Sequence, residues 1–263
     1  MCLIALALHQ HPAYRLALIA NRDELHARPT AAAGADPGFA DVYGGRDLVQ
    51  GGGWLMVSRT GRLAAVTNVR VPPLGASHPR SRGALVRDFV AGNGDVDAFL
   101  DVVAPMAGEH GPFNLVLWDG NTLAYAGNHP RFARHPVAPG LHAVSNGAFD
   151  APWPKSNLAS RALAGWMDDS LPSDARDADI APLLVALADE TPAQDAGLPD
   201  TGVGLELERR LSPPFVRDPV YGTRCSTVLL VQEHGIRFIE RRFGADAGVL
   251  GESDAWIPAR EAA

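Results

Sequence analysis

Cys2 is the residue whose type and position could most directly do chemistry. An initiator methionine is removed when the second residue is small, and cysteine qualifies. Loss of Met1 would leave a thiol and a free α-amine on one residue. Such an amine has an unperturbed pKa of about 8, low enough to take the thiol proton at neutral pH, so one residue could supply nucleophile and base. By itself Met-Cys is a common start, and an isolated cysteine is more often a buried structural thiol. Asn21-Arg22-Asp23-Glu24 changes that weighting. An arginine beside a thiol favours the thiolate, and an aspartate can hold an ammonium in place.

The elements that must position these groups follow from local pattern. Cys2 to Leu8 and Leu16 to Ala20 are short apolar runs separated by a polar segment containing Pro12, which predicts a hairpin of two buried strands. Its second strand empties into Asn21-Arg22-Asp23, so the cluster falls beside Cys2. Arg28 to Gln50, rich in Pro, Gly and Asp, reads as a long loop. Trp54 to Ser58 and Leu63 to Asn68 form a second hairpin, and Val71 to Arg80 another loop. Ser81 caps a helix to about Ala91, and Asp95 caps one to about Val103. Phe113 to Trp118, Leu123 to Ala126 and Leu141 to Ser145 are strand-like. Asn157 to Met167 and Ile180 to Ala188 have helical spacing, with surface loops over Ser170 to Asp179 and Thr191 to Gly202. Cys225 to Val231 and Ile236 to Glu240 form a last hairpin, and the tail from Ala245 is weakly patterned. Strands and helices come in blocks, which predicts an α+β fold with mostly antiparallel pairing, two face-to-face sheets and helices outside. With no repeat and no linker, 1–263 reads as one domain.

Asn21-Arg22-Asp23-Glu24 with Arg28-Pro29-Thr30 resembles the signature of the NRDE family, also called the transport and Golgi organisation family. The resemblance runs on through Gly44-Gly45-Arg46-Asp47, Gly52-Gly53-Trp54-Leu55, Ala65-Val66-Thr67-Asn68-Val69-Arg70, Ser81-Arg82-Gly83, Phe113-Asn114-Leu115 and Ser145-Asn146-Gly147, and ends with Tyr221-Gly222-Thr223-Arg224-Cys225-Ser226-Thr227-Val228. Leu25 and His26 depart from the pattern, as does the alanine-rich stretch Ala31 to Gly38. The resemblance implies an Ntn-hydrolase-like fold, a four-layer αββα sandwich, with a layout similar to cysteine amidases that cleave bile-salt conjugates and penicillin V. By that analogy Cys2 is nucleophile and base, Arg22 activates the thiol and Asp23 orients the amine. Asn68 and Asn146 donate to a tetrahedral oxyanion, and Arg224 supplies charge at the same pocket. The expected activity is hydrolysis of a non-peptide linear amide through a thioester. The other class of function is a binding or trafficking protein for haem or an acyl-CoA-type ligand, since the family has been linked to haem.

Composition sets limits. In 263 residues, 46% are apolar and 20% charged, the profile of a soluble globular chain, and the net charge of −7 gives no nucleic-acid footprint. Lys155 is the only lysine. Two cysteines make no disulfide framework, no stretch approaches a membrane span, and no secretory cleavage pattern follows the first apolar run, so a reducing, cytoplasmic setting is expected. Oligomeric state and substrate identity have no signature in the sequence. Asn68 and Asn146 singly would be turn residues. Arg224 is evenly balanced between a strand-edge and a pocket role, and Cys225 is expected in the core. Gly51-Gly52-Gly53 lacks the Lys-Ser/Thr of a phosphate loop and reads as a turn. The His-Pro pairs at His11, His78, His129 and His135 have no metal-site spacing. No metal or cofactor is expected, haem entering only as a ligand.

Overall fold

The computed structural model describes residues 2–168 and 171–260; Met1 and the Ser170 start of one expected loop lie outside them. Thirteen strands and five helices follow in order: β1 Cys2–His11, β2 Tyr14–Leu25, β3 Thr30–Asp36, β4 Phe39–Asp47, β5 Gly53–Ser58, β6 Leu63–Asn68, α1 Arg82–Ala91, α2 Val96–Val103, β7 Phe113–Trp118, β8 Leu123–Gly127, β9 Ala133–Pro136, β10 Gly140–Val144, α3 Pro154–Asp168, α4 Ala181–Leu187, α5 Leu205–Arg210, β11 Tyr221–Gln232, β12 Gly235–Phe243 and β13 Val249–Pro258. The strands form two sheets, β10-β1-β2-β11-β12-β13 and β3-β4-β5-β6-β7-β8-β9. Every pairing between these strands is antiparallel.

Side-chain alternation along each strand separates three apolar layers. Ile4, Leu6, Leu16, Leu18, Leu229 and Phe238 of the first sheet meet Leu55, Val57, Leu63, Val116 and Trp118 of the second in a central core. On the outer face of the first sheet Leu3, Ala5, Ile19 and Val228 pack under Leu163 of α3 and Leu184 of α4. On the outer face of the second, Met56, Ala64 and Leu115 pack under Val86, Phe89 and Leu100 of α1 and α2. The result is the expected four-layer αββα sandwich, its central strands buried on both faces and so reading as near-continuous apolar runs. Asp95 accepts from the Ala98 N–H at 2.7 Å, the side-chain cap expected for α2.

Three expectations are corrected. Arg28–Gln50 is not a loop, since it carries β3 and β4. Its alternation is hidden because glycine is needed at close approach: a Cβ on Gly45 would stand 2.2 Å from the Trp54 ring. The tail carries β13, which pairs only with β12 at the sheet edge and alternates charged and partly exposed positions. The short segments β9, at an edge of the second sheet and wholly exposed, and α5 also escaped the pattern, being four and six residues long.

Candidate active site

Cys2 opens β1 and is in register with Arg22 on β2, which is in turn in register with Cys225 on β11. Directly opposed residues share a sheet face, and here that face is the interior of the sandwich. Cys2 stays half-buried at the sandwich mouth, whereas Cys225 is buried, as expected of a core thiol. Burial pushes the Cys2 thiol above its ordinary pKa and Asp23 pushes it further, while Arg22 and the Asp23 backbone N–H pull it down. Arg22 is held with its guanidinium 4.2 Å from the Trp54 ring centroid and 3.7 Å from the Glu24 carboxylate. A planar cation on an indole face in a dry site is a fixed positive charge rather than a mobile one.

Asp23 alternates to the other face of β2. Its Oδ1 accepts from Thr223 Oγ1 at 2.7 Å, and its carbonyl accepts from the Tyr221 hydroxyl at 3.0 Å. Between Thr223 and Cys225 the β2–β11 register slips by one residue, leaving Arg224 as the extra residue of a bulge. Arg224 Nη1 donates to the carbonyls of Leu25 at 2.8 Å and Arg28 at 3.2 Å, so it ties down the turn after β2.

Asn146 follows β10 and is fully buried; its Nδ2 donates to the Asn68 carbonyl at 2.8 Å. An amide nitrogen has two hydrogens, so one remains for another acceptor. Ser145 Oγ donates to the Cys2 carbonyl at 2.9 Å, which joins this corner to the head of β1. Five of the anticipated residues, Cys2, Arg22, Asp23, Asn146 and Arg224, therefore lie at one end of the sandwich, with Asn68 at its rim.

Several residues at this end were given no role by the sequence. Arg70 and Glu208 form a buried ion pair, and Glu208 also accepts from the Thr201 N–H at 2.9 Å and hydroxyl at 2.6 Å. Lys155, in the first turn of α3, is 2% exposed, and its Nζ has no hydrogen-bond partner among the described residues. Burial lowers its pKa to about 8 against the attraction of Asp23, Cys2 and Glu208. Its being the only lysine was a signal, but one of composition without position.

Beside this end lies a cavity of about 990 Å³. Val69, Val71, Leu74, Leu211, Phe215 and Val220 give it apolar walls, and Glu24, Asn68, Arg82 and Tyr221 are also in the wall. Cys2, Arg22, Asp23 and Asn146 are not wall residues; Glu24, which pairs with Arg22, and Asn68, whose carbonyl accepts from Asn146, are. Gly52 and Gly83 fix α1 against the start of β5, since a Cβ on Gly52 would come within 2.3 Å of the Gly83 backbone. That backbone-to-backbone contact sets where Arg82 stands. Of the four His-Pro histidines only His78 lines this cavity. Among the described residues no cluster of three or more His, Cys, Asp or Glu could hold a metal ion, and no helix is long and apolar enough to cross a membrane.

An αββα sandwich with a cysteine at the head of an inner strand defines the fold class, which is Ntn-hydrolase-like. It is similar to a *Caenorhabditis elegans* N-acylethanolamine-hydrolyzing acid amidase ortholog, with a TM-score of 0.51 over 87% of this chain and 92% of that one at 10% identity. Within that class the chain belongs to the Transport and Golgi organisation 2 family, whose model matches residues 1–245. It is 36% identical to the *Bos taurus* Transport and Golgi organization protein 2 homolog over 265 residues, and 31% identical to the *Homo sapiens* homolog over 263, each covering 92% of both chains.

Proposed function

We propose that the chain is an N-terminal-nucleophile cysteine hydrolase that cleaves a non-peptide linear amide bound in the adjoining cavity. The observation that carries this reading is the Cys2–Arg22 register pair at the open end of the sandwich. With Met1 removed, the α-amine takes the thiol proton and the thiolate attacks the amide carbonyl. In this reading Asn146, through the Nδ2 hydrogen it does not give to the Asn68 carbonyl, and the Asn68 amide donate to the oxyanion, an interaction worth about 3 kcal/mol per donor. The ammonium returns its proton to the departing amine, leaving a thioester at Cys2. Water, deprotonated by the same amine, then releases the acid. The *C. elegans* amidase supports the fold alone, because fold does not carry activity.

Intact mass of the purified protein tests the first requirement, and a cysteine-directed amide probe the second. Met1 should be absent, and the probe should label the wild type and not Cys2→Ala. Retained Met1 leaves Cys2 with an amide nitrogen instead of an α-amine and ends this reading.

The apolar cavity walls also favour a second reading, in which the same pocket carries a hydrophobic ligand such as haem or an acyl-CoA without chemistry. His78 would be the wall histidine available to haem iron. Ligand-dependent stabilisation that survives Cys2→Ala, with no turnover by wild type, supports the carrier over the hydrolase.

A further inference from the structure

Five arginines stand in the cavity wall: Arg70, Arg82, Arg209, Arg210 and Arg217. Four of them hold a carboxylate, namely Glu208 for Arg70, Asp195 for Arg209, Asp218 for Arg210 and Glu190 for Arg217. Arg82 has none among the described residues. Its one hydrogen bond runs from Nη1 to the Pro112 carbonyl at 3.2 Å, which leaves Nε and Nη2 without an acceptor. Burial disfavours its charge, and the charges that act on it are Cys2, Glu24 and Arg28. Half-buried in the cavity wall, the guanidinium keeps those donors open to a ligand. A guanidinium is a planar fork of donors matched to a flat oxyanion, and its place on α1 is fixed by the Gly52–Gly83 contact rather than by a flexible loop.

We propose that Arg82 binds the carboxylate of the ligand, so that the molecule this cavity takes is an amphipath with an apolar body and one carboxylate held on the Cys2 side. The apolar body lies against Val69, Val71, Leu74 and Phe215. Where the chain acts as the hydrolase proposed above, the inference rests on that reading for one further consequence: the substrate is an amide that also bears a carboxylate.

Two measurements separate the inference from the reading beneath it. The first uses Cys2→Ala, which cannot form a thioester, and compares binding of decanoate with that of 1-decanol by tryptophan fluorescence. Decanoate should bind the tighter, and Arg82→Met should weaken it by about 10- to 100-fold while changing decanol less than about threefold, as expected for loss of charge-assisted hydrogen bonds. Equal weakening of both ligands would mean that Arg82 only supports the wall, and equal binding of both to unsubstituted Arg82 would mean that no anion site exists; either overturns the inference. The second compares alkylation of Cys2 by iodoacetate and iodoacetamide in a Cys225→Ser background. Arg82 should favour the anionic reagent, and Arg82→Met should remove that preference; a substitution that slows both reagents alike assigns Arg82 to the thiol and overturns the carboxylate site. A Cys2 that Met1 still covers ends the hydrolase reading and leaves the decanoate result standing.

Discussion

Cys2 and Arg22 are direct register partners across the β1–β2 ladder, and Arg22 lies with its guanidinium on the Trp54 ring. One strand thus carries the thiol, its neighbour carries the cation, and the second sheet fixes where that cation points. Arg22→Met should raise the pKa of the Cys2 thiol and slow its alkylation by iodoacetamide at pH 7 about tenfold, the equivalent of one pKa unit. Arg22→Lys should restore only part of the rate, because an ammonium cannot lie flat on the indole. Rate against pH checks both variants.

Lys155 should make stability depend on pH. Its native pKa is lowered to about 8, while in the unfolded chain it returns to the ordinary lysine range. Below pH 8 both states are protonated and the burial penalty is complete. From there to the unfolded pKa the native state releases its proton and the unfolded state keeps it, so the contribution of this group becomes more favourable as pH rises. Lys155→Met should therefore stabilise the fold at pH 7 by up to about 3 kcal/mol, with the advantage shrinking towards pH 10. Urea unfolding of both proteins at the two pH values measures it.

The Arg70–Glu208 pair predicts an asymmetry between single and double substitution. Arg70→Met leaves a buried carboxylate without its cation and should cost about 3–5 kcal/mol. Adding Glu208→Gln, which keeps an acceptor for Thr201, should recover much of that loss. A double-mutant cycle in urea gives the coupling.

Gly45→Ala should destabilise by about 1–3 kcal/mol, because its Cβ would fall 2.2 Å from Trp54. Gly108→Ala meets nothing within 4 Å and should stay within about 0.5 kcal/mol. Thermal melts of the two variants form the comparison, and Gly45→Ala should also disturb the stacking of Arg22.

Asn146→Ala should lower kcat of the proposed amidase by about 10²–10³-fold with KM little changed, since an oxyanion donor acts on the transition state. A steady-state comparison with Asn68→Ala separates the two donors.

Read alone, the sequence determined the first hairpin, the α+β class, and the juxtaposition of Cys2 with Asn21-Arg22-Asp23. These follow from apolar runs whose pairing is local, so register is set by a short turn and by burial. It did not reveal β3, β4 or β13, where glycine contacts and edge positions replace apolar alternation. Nor did it place Arg70, Glu208, Lys155 or Arg82, because each acquires its meaning from partners far along the chain: Glu208 lies 138 residues from Arg70. The same holds for Arg224, where a one-residue slip in the β2–β11 register makes it a tie for the Leu25 and Arg28 carbonyls. Local pattern carried the strand that bears Cys2; only long-range packing decided which cations are paired around it and left Arg82 without a carboxylate among the described residues.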